Sequence, residues 1–100
     1  MLAEDLRRWL DAHAEALDQG SAHADEVLPA LARARLTGIG VPQALGGQGG
    51  DIRDAVRAVA ALAEHSLAAA FTFWGHRVVT ELLVQSGNAT LRERWLPELL

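Results

Sequence analysis

The stretch Gly38-Ile39-Gly40-Val41-Pro42-Gln43-Ala44-Leu45-Gly46-Gly47-Gln48-Gly49-Gly50 constrains this chain more than any other part of it. Six glycines and one proline fall within thirteen residues. Glycine loses the most backbone freedom on ordering and proline lacks the amide hydrogen that a helix uses, so no helix passes through. Ile39, Val41 and Leu45 supply apolar anchors that a Gly/Ser tether lacks, so the stretch is expected to follow a fixed, packed path. Gly46 to Gly50 stand just before a helix, where phosphate-binding loops sit. No Gly-Lys-Ser/Thr follows, no strand precedes and the spacing does not fit Gly-x-Gly-x-x-Gly, so these glycines are read as turn structure.

Both flanks favour helix. Half of the 100 residues are apolar; 19 of them are Ala and 16 are Leu, against two Ile, seven Val and no Tyr. Ala and Leu are strong helix formers and strand-favouring residues are scarce, so one all-α domain over residues 1–100, a bundle of about five helices, is expected. Ordering such a chain costs on the order of 100–200 kcal/mol of conformational entropy. Alanine has a single methyl to bury, so the core should be thin and the domain should lean on further protein.

Apolar periodicity places the helices. Leu2, Leu6, Leu10, Ala14 and Leu17 form the first stripe, ended by Gly20-Ser21. A second helix runs from about Asp25 to Leu36, with Pro29 tolerable only in its first turn and Gly38 and Gly40 as its stop. Asp51 caps the third, with Asp54 completing a weak capping box, and Ile52, Ala55, Val56, Val59, Ala60 and Ala63 are its expected buried stripe. Ser66 caps the fourth, about Leu67 to Ser86. Leu67, Ala70, Phe71, Trp74, Val78 and Leu82 line one side, and Ala69, Phe73 and Val84 widen the apolar arc, so this helix is expected at the bundle's centre. Thr72, His76 and Thr80 form one polar line, and Arg77, Glu81 and Gln85 another. Asn88 caps the last helix, whose stripe is Leu91, Trp95, Leu96 and Leu99.

Charge and composition exclude several classes of function. The net charge is −4, concentrated in residues 1–26, and all nine cations are Arg. There is no basic patch, which disfavours nucleic acid as a partner. With no Cys, thiol catalysis, disulfides and thiolate metal sites are excluded. Glu4, Asp5, Arg7 and Arg8 interrupt a signal-peptide pattern, and the apolar run Leu67 to Gly75 is too short to span a bilayer, so a cytoplasmic protein without a membrane span is expected. His13, His23, His65 and His76 lack helical ligand spacing, so no metal site is predicted; His76 is expected to bond backbone, Thr72 or Thr80. Ser21, Ser66 and Ser86 stand at helix ends rather than beside a base, and no catalytic residue is assigned. Phe71, Phe73 and Trp74 read first as core and second as the wall of an apolar ligand pocket.

Leu36-Thr37-Gly38-Ile39-Gly40-Val41-Pro42-Gln43-Ala44-Leu45-Gly46-Gly47-Gln48-Gly49 resembles the Leu-x-Gly-(Ile/Leu)-x-x-Pro-(Glu)-x-(Tyr)-Gly-Gly-x-Gly signature of the acyl-CoA dehydrogenase family. Gly87-Asn88-Ala89-Thr90-Leu91-Arg92-Glu93-Arg94-Trp95-Leu96-Pro97 is similar to a second segment of that family, at the right distance, and the resemblance covers about residues 25–100. Leu45 stands where the family usually has Tyr or Phe. The resemblance implies the N-terminal helical domain of an FAD-dependent enzyme that oxidises an acyl-CoA thioester at its α,β carbons and is a homo-oligomer at full length. It implies that a middle β-domain and a C-terminal helical domain bind FAD and supply the catalytic base, so this chain alone is expected neither to hold FAD nor to be active. It places Ala70, Trp74 and Val78 against the acyl tail, with Trp74 shortening the pocket. A flavin-dependent monooxygenase or oxidase on the same scaffold, or a non-catalytic helical interaction module, are the alternatives.

Overall fold

Short polar side chains set the starts of three of the five helices in this computed structural model, which describes residues 2–20 and 22–100. The helices are α1 (Glu4–Asp18), α2 (Val27–Arg33), α3 (Ile52–Ala63), α4 (Leu67–Val84) and α5 (Ala89–Leu99), with 3-10 turns at Ala24–Glu26 and Gln43–Leu45. Among the described residues there is no strand, so the all-α, five-helix expectation holds. Asp51 accepts from the Arg53 amide while the Asp54 carboxylate accepts from the Asp51 amide at 2.8 Å, a complete capping box. Ser66 Oγ accepts from the Ala69 amide at 3.1 Å, and Asn88 Oδ1 from the Leu91 amide at 3.0 Å. Pro29 falls in the first turn of α2, where its missing hydrogen costs nothing. Ser21 lies outside the described residues.

The end of α2 differs from the expectation. It stops at Arg33, ahead of Gly38 and Gly40, because Arg35 adopts a left-handed conformation with φ 64°. The Leu36 amide donates to Leu31 O and the Arg35 amide to Ala32 O, at 3.0 and 2.9 Å. This is the Schellman termination, with the usual apolar contact supplied by the buried pair Leu31 and Leu36. An arginine occupies the position that glycine fills most cheaply.

The core gathers Leu6, Leu10 and Leu17 of α1, Val27, Ala30 and Leu31 of α2, Ala58 and Leu62 of α3, and Ala69, Ala70 and Phe73 of α4. The buried faces of α3 and α4 match the predicted ones only in part: Ala55 on α3 and Ala69, Ala70 and Phe73 on α4 are buried as expected. α3 buries Ala55, Ala58 and Leu62 and exposes Ile52 and Val56; α4 buries Ala69, Ala70, Phe73, Arg77 and Thr80. Of the expected α4 stripe, Ala70 is buried while Leu67, Phe71, Trp74, Val78 and Leu82 are exposed, Leu67 and Phe71 to 70%. Of the three aromatics on α4 only Phe73 is core. Small side chains let helix axes approach closely, so contact selects the alanine faces, and the larger apolar residues are left outside. On α5 only Leu96 is buried, while Leu91 and Trp95 are exposed, the Arg94 guanidinium lying 4.3 Å from the Trp95 ring centre.

A polar tie joins the end of α1 to the start of α4. Asp18 Oδ1, at the end of α1, accepts from Ser66 Oγ and from the Ala68 amide, each at 3.1 Å, so its carboxylate sits on the positive end of α4. Asp18→Ala leaves both donors without this partner and is expected to destabilise by about 1–2 kcal/mol, measured as a lowered urea midpoint. Arg35→Gly relieves a left-handed backbone and is expected to stabilise by about 0.5–1 kcal/mol in the same measurement, the relief being partly offset by a more flexible unfolded chain.

Candidate functional site

The apolar side chains turned away from the core meet again at the surface. Ile52, Val56 and Val59 of α3 and Trp74, Val78 and Leu82 of α4 line a groove of about 270 Å³, with Ala55 and Arg77 in its lining and Glu81 at its edge. That volume lies just below the roughly 300 Å³ at which drug-sized pockets begin. α3 and α4 run antiparallel across the short connection 64–66, so the groove extends from Val59 and Trp74 towards Ile52 and Leu82. Trp74 is half-exposed, and its ring lies 5.8 Å from that of Phe71, which continues the apolar surface along α4.

Of the three residues expected to face a ligand, Trp74 and Val78 come together in the groove. Ala70 does not join them; it is buried on the core side of the same helix, beside Phe73. The periodicity did not reveal the facing wall from α3, because its members were expected to be core.

Arg77, on the polar line with Glu81 and Gln85, is 3% exposed. Its Nε donates to Ile39 O at 3.1 Å and its Nη2 to Gly40 O at 3.0 Å, both in the glycine stretch. Its Nη1 lies 2.9 Å from Glu81 Oε1 as an ion pair, without the alignment of a hydrogen bond. The spacing Phe73, Arg77, Thr80 is a helical stripe, and Phe73 at its head is the one signal that marks Arg77 as inward-facing. A hydrogen bond from Gln85 and the nearby Arg77 guanidinium hold the Glu81 carboxyl below its ordinary value against a modest desolvation cost.

The glycine stretch packs as expected. The Gly40 amide donates to Gly49 O, the Gly49 amide to Val41 O, the Gln48 amide to Gly38 O and the Gly47 amide to Pro42 O. The Gly46 amide is likewise engaged, by Gln43 O. Amides already bonded to backbone cannot cradle a phosphate, which supports the turn reading. His76 Nε2 donates to Leu99 O at 2.8 Å, so its partner is backbone, but on α5 rather than nearby. Thr72 and Thr80 bond back to their own helix instead. Among the described residues no cluster of His, Cys, Asp or Glu could hold a metal ion, and no helix is long and apolar enough to cross a membrane.

The fold and groove define a helical domain with one open apolar face, a wall rather than a closed site. The chain matches the family described as acyl-CoA dehydrogenase, N-terminal domain, over residues 1–100, and it belongs to that family. It is similar to an acryloyl-CoA reductase (NADH) of Anaerotignum propionicum, with 30% identity over 90 residues. That alignment takes in 90% of this chain and 23% of the relative, so the chain spans about a quarter of the relative's length. No solved structure matches it significantly.

Two measurements check the site's framework. A β-carbon at Gly47 would run into the backbone oxygen and side chain of Val41, so Gly47→Ala is expected to cost about 1–3 kcal/mol in the denaturation midpoint. Glu81's depressed pKa makes its contribution to stability fully present at neutral pH and lost as pH falls through the depressed value. Glu81→Gln is expected to flatten that part of the acid limb of stability against pH.

Proposed function

We propose that this chain is the N-terminal domain of an FAD-dependent enzyme acting on the α,β carbons of an acyl-CoA thioester. In this reading the α3–α4 groove forms part of the acyl-pocket wall. The observation that carries it is the open apolar groove, with Trp74 and Val78 facing Ile52, Val56 and Val59. A soluble domain has little reason to leave so many large apolar side chains on one face unless a ligand or another domain covers them.

The groove fits an acyl tail and not the flavin, whose phosphates and ring nitrogens need hydrogen-bond donors that this apolar lining lacks. When bound in the complete protein, FAD supplies hydride acceptance. The residues of this chain orient the tail and exclude water from it. The indole of Trp74 takes up depth that a smaller side chain would leave open, which favours a short or branched acyl group. The similarity to a protein named for acryloyl-CoA, a short unsaturated thioester, agrees with that preference. It also favours a second reading, in which the same carbons are reduced rather than oxidised. The complete protein is read as a homo-oligomer and as cytoplasmic.

In the complete protein, Trp74→Ala is expected to extend the accepted chain length, raising kcat/KM for the longer tail about tenfold per added methylene over the first one or two. Steady-state kinetics across a series of acyl-CoA thioesters of increasing length checks this. An unchanged length preference would remove Trp74 from the pocket.

A further inference from the structure

We infer that Arg77 is a positioning residue that sets the shape of the groove, and with it the choice of acyl tail, by fastening the glycine stretch to α4. This inference rests on the reading of the groove as an acyl-tail site.

A buried cation is costly; desolvation alone amounts to several kcal/mol unless its hydrogens are well placed. Arg77 spends two of its donors on the consecutive carbonyls of Ile39 and Gly40. Those carbonyls are not an arbitrary stretch of loop. Gly40 backs directly onto the carbonyl of Asp51, so closely that a β-carbon there would collide with it. Asp51 is the N-cap of α3, and the next residues inward, Ile52, Ala55 and Val56, are one wall of the groove. The contacts therefore form a chain from α4 through the guanidinium and Gly40 to the start of α3. Moving Gly40 moves the cap, and moving the cap moves the wall opposite Val78 and Leu82.

Arg77 does this without presenting its charge to a ligand. Its Nη1 is buried and paired in charge with Glu81, although no aligned hydrogen bond reaches it. An apolar side chain of similar length would fill the same space at lower cost, and the arginine adds fixed direction and distance. A lysine has one ammonium where Arg77 engages two carbonyls with separate nitrogens, so it should restore only part of the geometry.

The test uses the complete protein with Arg77→Met and Arg77→Lys, and Trp74→Ala alongside. The double variant Arg77→Met/Glu81→Leu removes the pair together and serves where the single methionine variant does not fold. Two quantities are read: amide hydrogen exchange at Gly40 and Gly49, and kcat/KM across acyl-CoA thioesters of stepped tail length. For Arg77→Met the expectation is about tenfold faster exchange in the stretch. A change of about threefold or more is expected in the kcat/KM ratio between neighbouring tail lengths, carried by KM more than by kcat. Arg77→Lys should fall between. If exchange quickens and Trp74→Ala shifts the length profile but Arg77→Met does not, Arg77 only supports the fold and the inference is overturned. If neither variant shifts the profile, the acyl-tail reading of the groove has failed instead. Unchanged exchange in Arg77→Met overturns the fastening itself.

Discussion

α3 and α4 turn alanine inward, and the rest of the architecture follows from that. Ala55 and Ala58 on one helix and Ala69 and Ala70 on the other are buried, alongside Leu62 and Phe73. A contact made of methyl groups buries little area per residue, so it contributes little per residue. What it gives is proximity. Because the small side chains take the interior, the large ones, from Ile52 and Val56 to Trp74, Val78 and Leu82, stand on the outer rim of the same helix pair. The groove and the thin core are two results of one choice of interface.

This explains which parts of the fold were legible in the sequence. Asp51, Ser66 and Asn88 act within three residues of their own position, so their capping roles could be read locally and were met. The glycine stretch was equally readable, since its composition forbids a helix and its anchors forbid a loose tether. The helix faces were not readable. Periodicity weights leucine, phenylalanine and tryptophan above alanine, and on a helix apolar nearly all round the strongest residues point to the strongest stripe, not to the interface. On α4 that rule put Leu67, Phe71 and Trp74 on the buried stripe beside Ala70, and close packing kept Ala69, Ala70 and Phe73 and turned the other three out.

The polar ties were hidden for a different reason: their meaning lies in residues far along the chain. Asp18 looked like part of a general acidic excess until Ser66 and Ala68 stood beside it. Arg77 is one member of a polar line in the sequence, and only the fold brings the carbonyls of Ile39 and Gly40 to it. Arg35 gave no sign that it would take a left-handed conformation, which depends on where Leu36 finds its apolar contact. At the candidate site the sequence resemblance named Ala70, Trp74 and Val78, of which Trp74 and Val78 line the groove and Ala70 lies in the core, and geometry alone supplied the opposite wall.

The tie from Asp18 to Ser66 divides α4 into two regimes. Its first half is clasped by α1 and holds Phe73 in the centre of the core, so it opens only when the whole bundle does. Its second half is held by Arg77 and by the bond from His76 to the end of α5, a helix with one buried apolar side chain. A rod that looks uniform in sequence is thus anchored by two different devices, a carboxylate on its first turn and a guanidinium reaching from its second half to loop carbonyls. The guanidinium-anchored half carries the stretch of groove from Arg77 to Leu82, so a displacement of the glycine stretch is felt there while the Asp18 clasp keeps the other half in place.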